Sequence, residues 1–247
     1  MKKIIFISDL HLDENHPEIV SLFLRFLKEQ IGTTSALYIL GDFFEAWIGD
    51  DNRSSFNQMI ISHLRAARDA GLPIYFIHGN RDFLIGKRFL KASGCVLLQD
   101  ETMIDIFGVP TLLMHGDTLC ADDTAYLAFR KKARNRFFQW LFLMKSLKKR
   151  LAIARQYREK SQQHVSTLPD HIMDVTERAV CDVMAKHRVQ HLIHGHTHRQ
   201  AIHHFSLNNQ PATRTVLGAW HDKGSALVCY ENGKKELIDI TAEAIYS

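Results

Sequence analysis

A chain of 247 residues that is 46% hydrophobic and 23% charged has enough apolar side chain for a sizeable core, which excludes a disordered or fibrous protein. Its net charge of +4 hides an asymmetry: residues 129–160 hold twelve Lys/Arg and one acid, Glu159, for a local charge of +11, while the rest carries −7. No apolar run approaches the roughly 20 residues of a spanning helix, and Ile4–Ile7 is too short for a secretory signal, so a cytoplasmic protein is expected.

Ile4–Ser8 has the short apolar pattern of a buried strand. A helix follows, with Pro17 in its first turn, Ile19, Leu22, Phe23, Phe26 and Leu27 on one face, and Gly32 closing it. Ala36–Leu40 and Pro73–His78 repeat the strand pattern around a helix from about Ser54 to Ala70. A shorter helix over about Leu84–Ala92 precedes Gly94, and Thr111–Met114 is a further strand. From about Ala121 to Lys160 the pattern is helical, basic and aromatic-rich. Pro169 opens a last helix ending near His187, and His191–His194 is a strand. The tail reads as strands at 201–207, 213–219, 224–230 and 235–240, the last two joined at Asn232-Gly233. One domain over 1–247 is expected, with a helical insert or lid at about 121–165.

Five segments sit immediately after predicted strands: Asp9-Leu10-His11, Gly41-Asp42, Gly79-Asn80-Arg81-Asp82, His115-Gly116-Asp117 and Gly195-His196-Thr197-His198. In α/β sheets, ligands bind outside the carboxyl ends of the strands. Singly, each segment has a bland reading as a turn, a strand-ending acid or a surface histidine. Jointly they offer Asp9, His11, Asp42, Asn80, His115, His196 and His198, oxygen and imidazole donors that suit Mn²⁺, Fe or Zn²⁺. Seven donors are too many for one open catalytic metal and suit two ions about 3.5–4 Å apart sharing a carboxylate. His78, His191, His194 and His221 are read as structural or outer neighbours. The scattered Cys95, Cys120, Cys181 and Cys229 form no C-x-x-C pair and read as reduced thiols.

In order and spacing these segments resemble those of the calcineurin-like metallophosphoesterases, over nearly the whole chain except the insert. The resemblance implies an α+β fold, a β-sandwich flanked by helices in four αββα layers, with a dinuclear site. It implies that Asp9, His11, Asp42 and His198 hold one metal and Asp42, Asn80, His115 and His196 the other, with Asp42 bridging. Many relatives read G-N-H-[DE], where the His helps protonate a leaving alkoxide; here Arg81 stands in its place. Arginine is no general acid at neutral pH, but its planar fork grips phosphate oxygens. A phosphate ester, with a second pKa of about 6, leaves without a proton, so the substitution points to a pyrophosphate substrate. The expected catalytic set is Asp42, Asn80, Arg81, His115 and His196.

The longer strings Gly41-Asp42-Phe43-Phe44-Glu45-Ala46-Trp47-Ile48-Gly49-Asp50-Asp51, His78-Gly79-Asn80-Arg81-Asp82-Phe83-Leu84, His115-Gly116-Asp117-Thr118-Leu119-Cys120 and His194-Gly195-His196-Thr197-His198-Arg199 are similar to those of the UDP-2,3-diacylglucosamine pyrophosphohydrolase family of lipid A synthesis. That resemblance implies water attack on the α-phosphorus with two Mn²⁺ ions per subunit, giving UMP and 2,3-diacylglucosamine 1-phosphate. It also implies substrate contacts from Asn80, Arg81, Asp123, Ser161 and His196. The family's further Asn and Lys contacts would fall on Val165 and Leu168, which cannot make them.

In the insert, Leu127, Phe137, Phe138, Trp140, Leu141, Phe142 and Leu147 are interleaved with basic residues, among them Lys145, Lys148, Lys149 and Arg150, as in a helix lying at an anionic membrane. A solvated basic helix pair or a nucleic-acid surface has the same composition. The expectation is a peripheral enzyme on the cytoplasmic face of the bacterial inner membrane, taking a lipid-linked nucleotide sugar and no nucleic acid. The alternatives are a metallophosphoesterase acting on soluble nucleotides or nucleic acid, and a non-catalytic scaffold that binds membrane or RNA.

Overall fold

The computed structural model describes residues 1–167 and 174–241, and over 161–167 the backbone alone. The chain begins with β1 (Lys3–Ile7), α1 (Pro17–Gln30), β2 (Ala36–Ile39), α2 (Ser55–Asp69), β3 (Ile74–Phe76), α3 (Lys87–Ser93) and a two-residue β4 (Val96–Leu97). These four strands pair in parallel. The helices start where local chemistry allows: Pro17 opens α1, and the Ser54 hydroxyl accepts the Asn57 N–H at 3.2 Å to cap α2. A hairpin of β5 (Thr102–Ile106) and β6 (Val109–Leu113) follows, then α4 (Thr124–Ala133), α5 (Arg136–Leu143), α6 (Leu147–Thr167) and α7 (Glu177–His187). The close is β7 (His191–His194), β8 (Ala201–Leu207), β9 (Gln210–Val216), β10 (Gly224–Tyr230) and β11 (Lys235–Ile240).

Two sheets result, ordered β11-β10-β1-β2-β3-β4 and β5-β6-β7-β9-β8. Phe6, Leu40, Ile77, Leu113, Ile193, Leu217 and Leu227 are buried together between them. The outer face of the first sheet is covered by α1, α2 and α3 through residues such as Phe23, Phe26, Leu64 and Phe89. The outer face of the second carries α7 through Val180 and Met184. This is the four-layer αββα sandwich, and the carboxyl ends of β1, β2, β3, β6 and β7 bring their following loops together.

Three expectations shift in detail. The helical stretch after Ala121 is three helices, because the Asn135 side chain accepts the Phe137 N–H at 2.9 Å and starts α5 afresh, and α6 begins after a further break. The helix before β7 begins at Glu177 behind a Thr176 cap; Pro169, read as its start, lies outside the described residues. Arg150 does not face outward. It is buried, donating to Ile48 O at 2.6 Å, Lys145 O at 3.0 Å and both carboxylate oxygens of Asp51. A side chain on Gly49 would strike that guanidinium, so glycine is the residue that lets α6 dock there. Lys145, Lys148 and Lys149 are exposed, as are Phe137, Phe138, Trp140, Leu143 and Met144. Among the described residues no helix is long and apolar enough to cross a membrane.

Candidate dinuclear metal centre

Every loop that delivers a donor is held by main-chain bonds to its neighbour. Asp9 N–H donates to Gly41 O at 3.1 Å, His11 N–H to Asp42 O at 3.0 Å and Gly195 N–H to His115 O at 2.8 Å. The turns are tight. Asp9, His11, Asp42, His196 and His198 all have φ between 49° and 69°, a left-handed conformation that costs a non-glycine residue about 1–2 kcal/mol. Such strain is stored where the surrounding structure needs the side chain in one direction. Gly79 and Gly195 are required for a different reason: a Cβ would overlap the carboxylate of Asp42 at the first and that of Asp9 at the second.

The donors form two groups. In one, Asp9 Oδ1 lies 3.4 Å from His198 Nε2, and His11 Nε2 lies 3.5 Å from His198 Nε2 and 3.9 Å from Asp42 Oδ2. In the other, Asn80 Oδ1 lies 2.9 Å from His115 Nε2 and 3.1 Å from His196 Nδ1, and His115 Nε2 lies 3.8 Å from Asp42 Oδ1. Asp42 thus turns one oxygen to each group. His115 Nδ1–H donates to Leu40 O at 2.8 Å, which leaves its Nε2 lone pair facing the centre. All seven donors expected from the sequence are brought together.

The donor set fits divalent cations on a direct test. Asp9 Oδ1 is fully buried with no hydrogen-bond partner, an arrangement that is costly for an anion unless a cation completes it. Burial alone would push the Asp9 carboxyl up, but His198, His115 and His11 outweigh it and hold it below the usual carboxylate range. Burial, reinforced by His115, lowers His196 to about 4, whereas at His115 and His11 burial is outweighed by the neighbouring carboxylates, among them Asp42 and Asp9, which raise them, so the site concentrates negative charge around these imidazoles.

Around the donors are residues whose roles were not read from the sequence. Asp82 is buried and its carboxylate accepts the N–H of Gly79 at 2.7 Å and of Phe43 at 2.8 Å, joining two donor loops. Burial and the nearby Asp42 raise it to about 7. Glu45 lies 3.3 Å from Arg81 Nη1, 3.0 Å from Arg158 Nε and 3.3 Å from His11 Nδ1, the last without hydrogen-bond alignment. Burial raises Glu45, yet these basic neighbours prevail and lower it. Asp117 accepts from Tyr126 Oη and Arg130 Nε, both at 2.5 Å, and Arg134 donates to Gly79 O at 2.9 Å, so α4 grips two of the loops. Asp82 and Asp117 are the last letters of their motifs, a signal that was present without a role attached. Arg81 donates its backbone N–H to Asp42 Oδ1 at 2.8 Å. Asp123 caps α4, accepting the Tyr126 N–H at 2.9 Å. The side chains of Ser161 and Val165, and the whole of Leu168, lie outside the described residues.

Residues 2–200 match the family description calcineurin-like phosphoesterase. The chain belongs to that family. It is 53% identical over 221 residues to the UDP-2,3-diacylglucosamine hydrolase of Klebsiella pneumoniae, covering 90% of this chain and 92% of the relative. It is 51% identical to that of Serratia proteamaculans, over 90% and 93% of the two chains. Against the one from Photobacterium profundum the identity is 47%, over 94% of each. Within the calcineurin-like phosphoesterases, the chain is therefore a member of the UDP-2,3-diacylglucosamine hydrolase family.

Proposed function

We propose that this phosphoesterase hydrolyses the pyrophosphate of UDP-2,3-diacylglucosamine to UMP and 2,3-diacylglucosamine 1-phosphate, a step of lipid A synthesis. The observation that carries the reading is one carboxylate, Asp42, presenting an oxygen to each of two donor groups, in a chain about half identical to relatives of that name over nine-tenths of its length. Asp9, His11, Asp42 and His198 would hold one ion, and Asp42, Asn80, His115 and His196 the other; imidazole and carboxylate donors without thiolate suit Mn²⁺. When bound, such a pair supplies charge neutralisation and a nucleophilic water at neutral pH.

The protein's own residues do the rest. Glu45 holds the Arg81 guanidinium beside His11, where its fork can grip the phosphoryl oxygens. Arg81 offers no proton, and the departing sugar phosphate needs none. Asp82 fixes the Asn80 loop against the Asp42 loop. The helices α4–α6 serve as a lid that shelters the acyl chains. Their exposed Phe137, Trp140 and Met144, with Lys145, Lys148 and Lys149, support docking on the anionic cytoplasmic face of the inner membrane.

The test is a hydrolysis panel in Mn²⁺ and ¹⁸O-water with UDP-2,3-diacylglucosamine, UDP-GlcNAc and bis(p-nitrophenyl) phosphate. The diacylated substrate should turn over fastest by a wide margin, with the label in UMP. Equal rates on UDP-GlcNAc, or label in the sugar phosphate, would sink the reading.

A further inference from the structure

The loop between β9 and β10 brings one more imidazole to the metal centre, and the chemistry described above gives it no role. Trp220 anchors this loop. It is buried against Phe23 and Phe26, its backbone N–H donates to Asp9 O at 3.0 Å, and its indole N–H donates to Ser225 O at 3.0 Å. Gly218 lets the loop close on the segment after His198, because a Cβ there would press on Gln200 and Ser225. His221, next after Trp220, is exposed and sets its ring edge-to-face against His198, with 6.0 Å between the ring centres.

His221 is not itself one of the donors. The ligand atoms of Asp9, His11 and His198 lie within 4.8 Å of one another, and His221 stands outside that group. Partial burial lowers its pKa first, and then His198 and His11 do, in keeping with a ring turned toward both imidazoles of the first donor group. Among the described residues no group hydrogen-bonds its ring nitrogens. In either protonation state the ring carries an N–H to give.

The position of His221 relative to the helices α4–α6 says which half of a substrate it meets. Arg158 of α6 pairs with Glu45 at 3.0 Å, Glu45 lies 3.3 Å from His11 Nδ1, His11 lies 3.5 Å from His198, and His221 comes next in the row. Tyr126 of α4 stands by His196, with 6.1 Å between ring centres. The helices thus meet the centre at Glu45 and His196, and His221 ends the row that starts beneath α6. Among the described residues no hydrogen bond, ion pair or ring contact joins 218–223 to α4–α6. A pyrophosphate lying over the donors, with its acylated sugar under those helices, must send its nucleotide half out at the other end. The first hydrogen-bonding groups beyond the α-phosphate there are the ribose hydroxyls. We infer that His221 is a substrate contact for the nucleotide half, its ring N–H donating to a ribose hydroxyl. The inference rests on the substrate reading above and adds a residue that recognises the part of the substrate leaving as UMP.

The experiment is calorimetric titration of the Mn²⁺-loaded full chain with UMP and with 2′,3′-dideoxy-UMP, in the wild type, His221→Ala and His221→Gln, with metal analysis of each. The wild type should prefer UMP by about three- to tenfold, the scale of one hydrogen bond, and His221→Ala should remove most of that preference. Gln keeps an N–H and should restore part of it. The ratio of the two affinities is the readout because damage to the metal loop lowers both together. A wild type without the preference overturns the assignment, and so does a preference unchanged in His221→Ala. Loss of Mn²⁺ from both variants also overturns it, since His221 would then serve the metal and not the ribose. Hydrolysis of UDP-2,3-diacylglucosamine by the wild type is measured in parallel. A protein that prefers UMP through His221 but leaves the lipid substrate intact would sink the substrate reading and keep the contact. One that cleaves the lipid while its ratio ignores His221 would sink the contact alone.

Discussion

Asp42 offers each of its oxygens to a different donor group, so Asp42→Ala should lower the content of both metals and cost at least about 10²-fold in turnover, the scale of a major electrostatic contribution. Metal analysis beside kcat checks this; full occupancy with near wild-type turnover would rule out the bridging role. Arg81 poses a different question. Arg81→Lys keeps the charge without the fork and should lose activity at constant metal content, whereas Arg81→His restores the relatives' acid and should raise diesterase relative to pyrophosphatase activity. Normal pyrophosphatase activity in both variants would refute the role given to the fork. Asp82→Asn should loosen two loops at once, since an amide has one acceptor where two N–H groups point. The expected cost is about 1–3 kcal/mol in urea unfolding, with weaker Mn²⁺ binding. All seven donors were legible in the sequence, because each follows an apolar run and belongs to a motif of distinctive composition. Glu45 and Asp82 were visible only as letters. Their partners, Arg81 and the N–H groups of Gly79 and Phe43, are fixed by tertiary approach of separate loops.

At the scale of elements, α6 is moored near its start by Arg150, bonded to Ile48 and Asp51, and further along by Arg158, paired with Glu45. Arg150→Met would leave Ile48 O without its donor, and the resulting loss of about 1–3 kcal/mol should fall locally. Limited proteolysis should then cut within α4–α6 well before the sandwich; cutting at the wild-type rate would refute the mooring. The composition of 129–160 concealed this, because a buried arginine and a surface arginine contribute the same +1. Lys145, Lys148 and Lys149 are exposed, as are Lys131, Lys132 and Arg136 nearby, and all of these are free to meet a membrane. Changing Lys145, Lys148 and Lys149 to Gln should weaken binding to anionic vesicles chiefly at low salt. Changing Phe137, Phe138 and Trp140 to Ser should weaken it at every salt concentration. Vesicle co-sedimentation across a salt series separates the two, and unchanged binding in both variants would mean another surface reaches the membrane. The helix breaks at Asn135 and after Met144 escaped the periodicity, since the apolar and basic pattern runs through them. The two-residue β4 escaped because a strand that short has no pattern to read.

For the whole molecule, metal and fold are linked. Two ions that bind only the folded chain, each at about 100 times its Kd, would together add ~5 kcal/mol, so chelation should lower the melting temperature by on the order of 10 °C. A calorimetric melt unmoved by chelator and by added Mn²⁺ would argue against a metal-completed core. Alternating strands and helices followed by a strand-rich tail were legible from the residue pattern, and the αββα layering from the family resemblance; which strands share a sheet was not, because the pairing of β7 with both β6 and β9 is long-range. The wide separation of the donors along the chain also bears on how the protein is born. His198 is made nearly 190 residues after Asp9, an interval of some ten to forty seconds at about 5–20 residues per second. For almost all of that time the nascent sandwich lacks β7 and the following loop with His196 and His198, so neither proposed ligand set would be complete. On the proposed ligand sets, loading would wait for β7 and the loop after it, and the growing chain would not become a hydrolase before it has the sheet that positions His196 and His198.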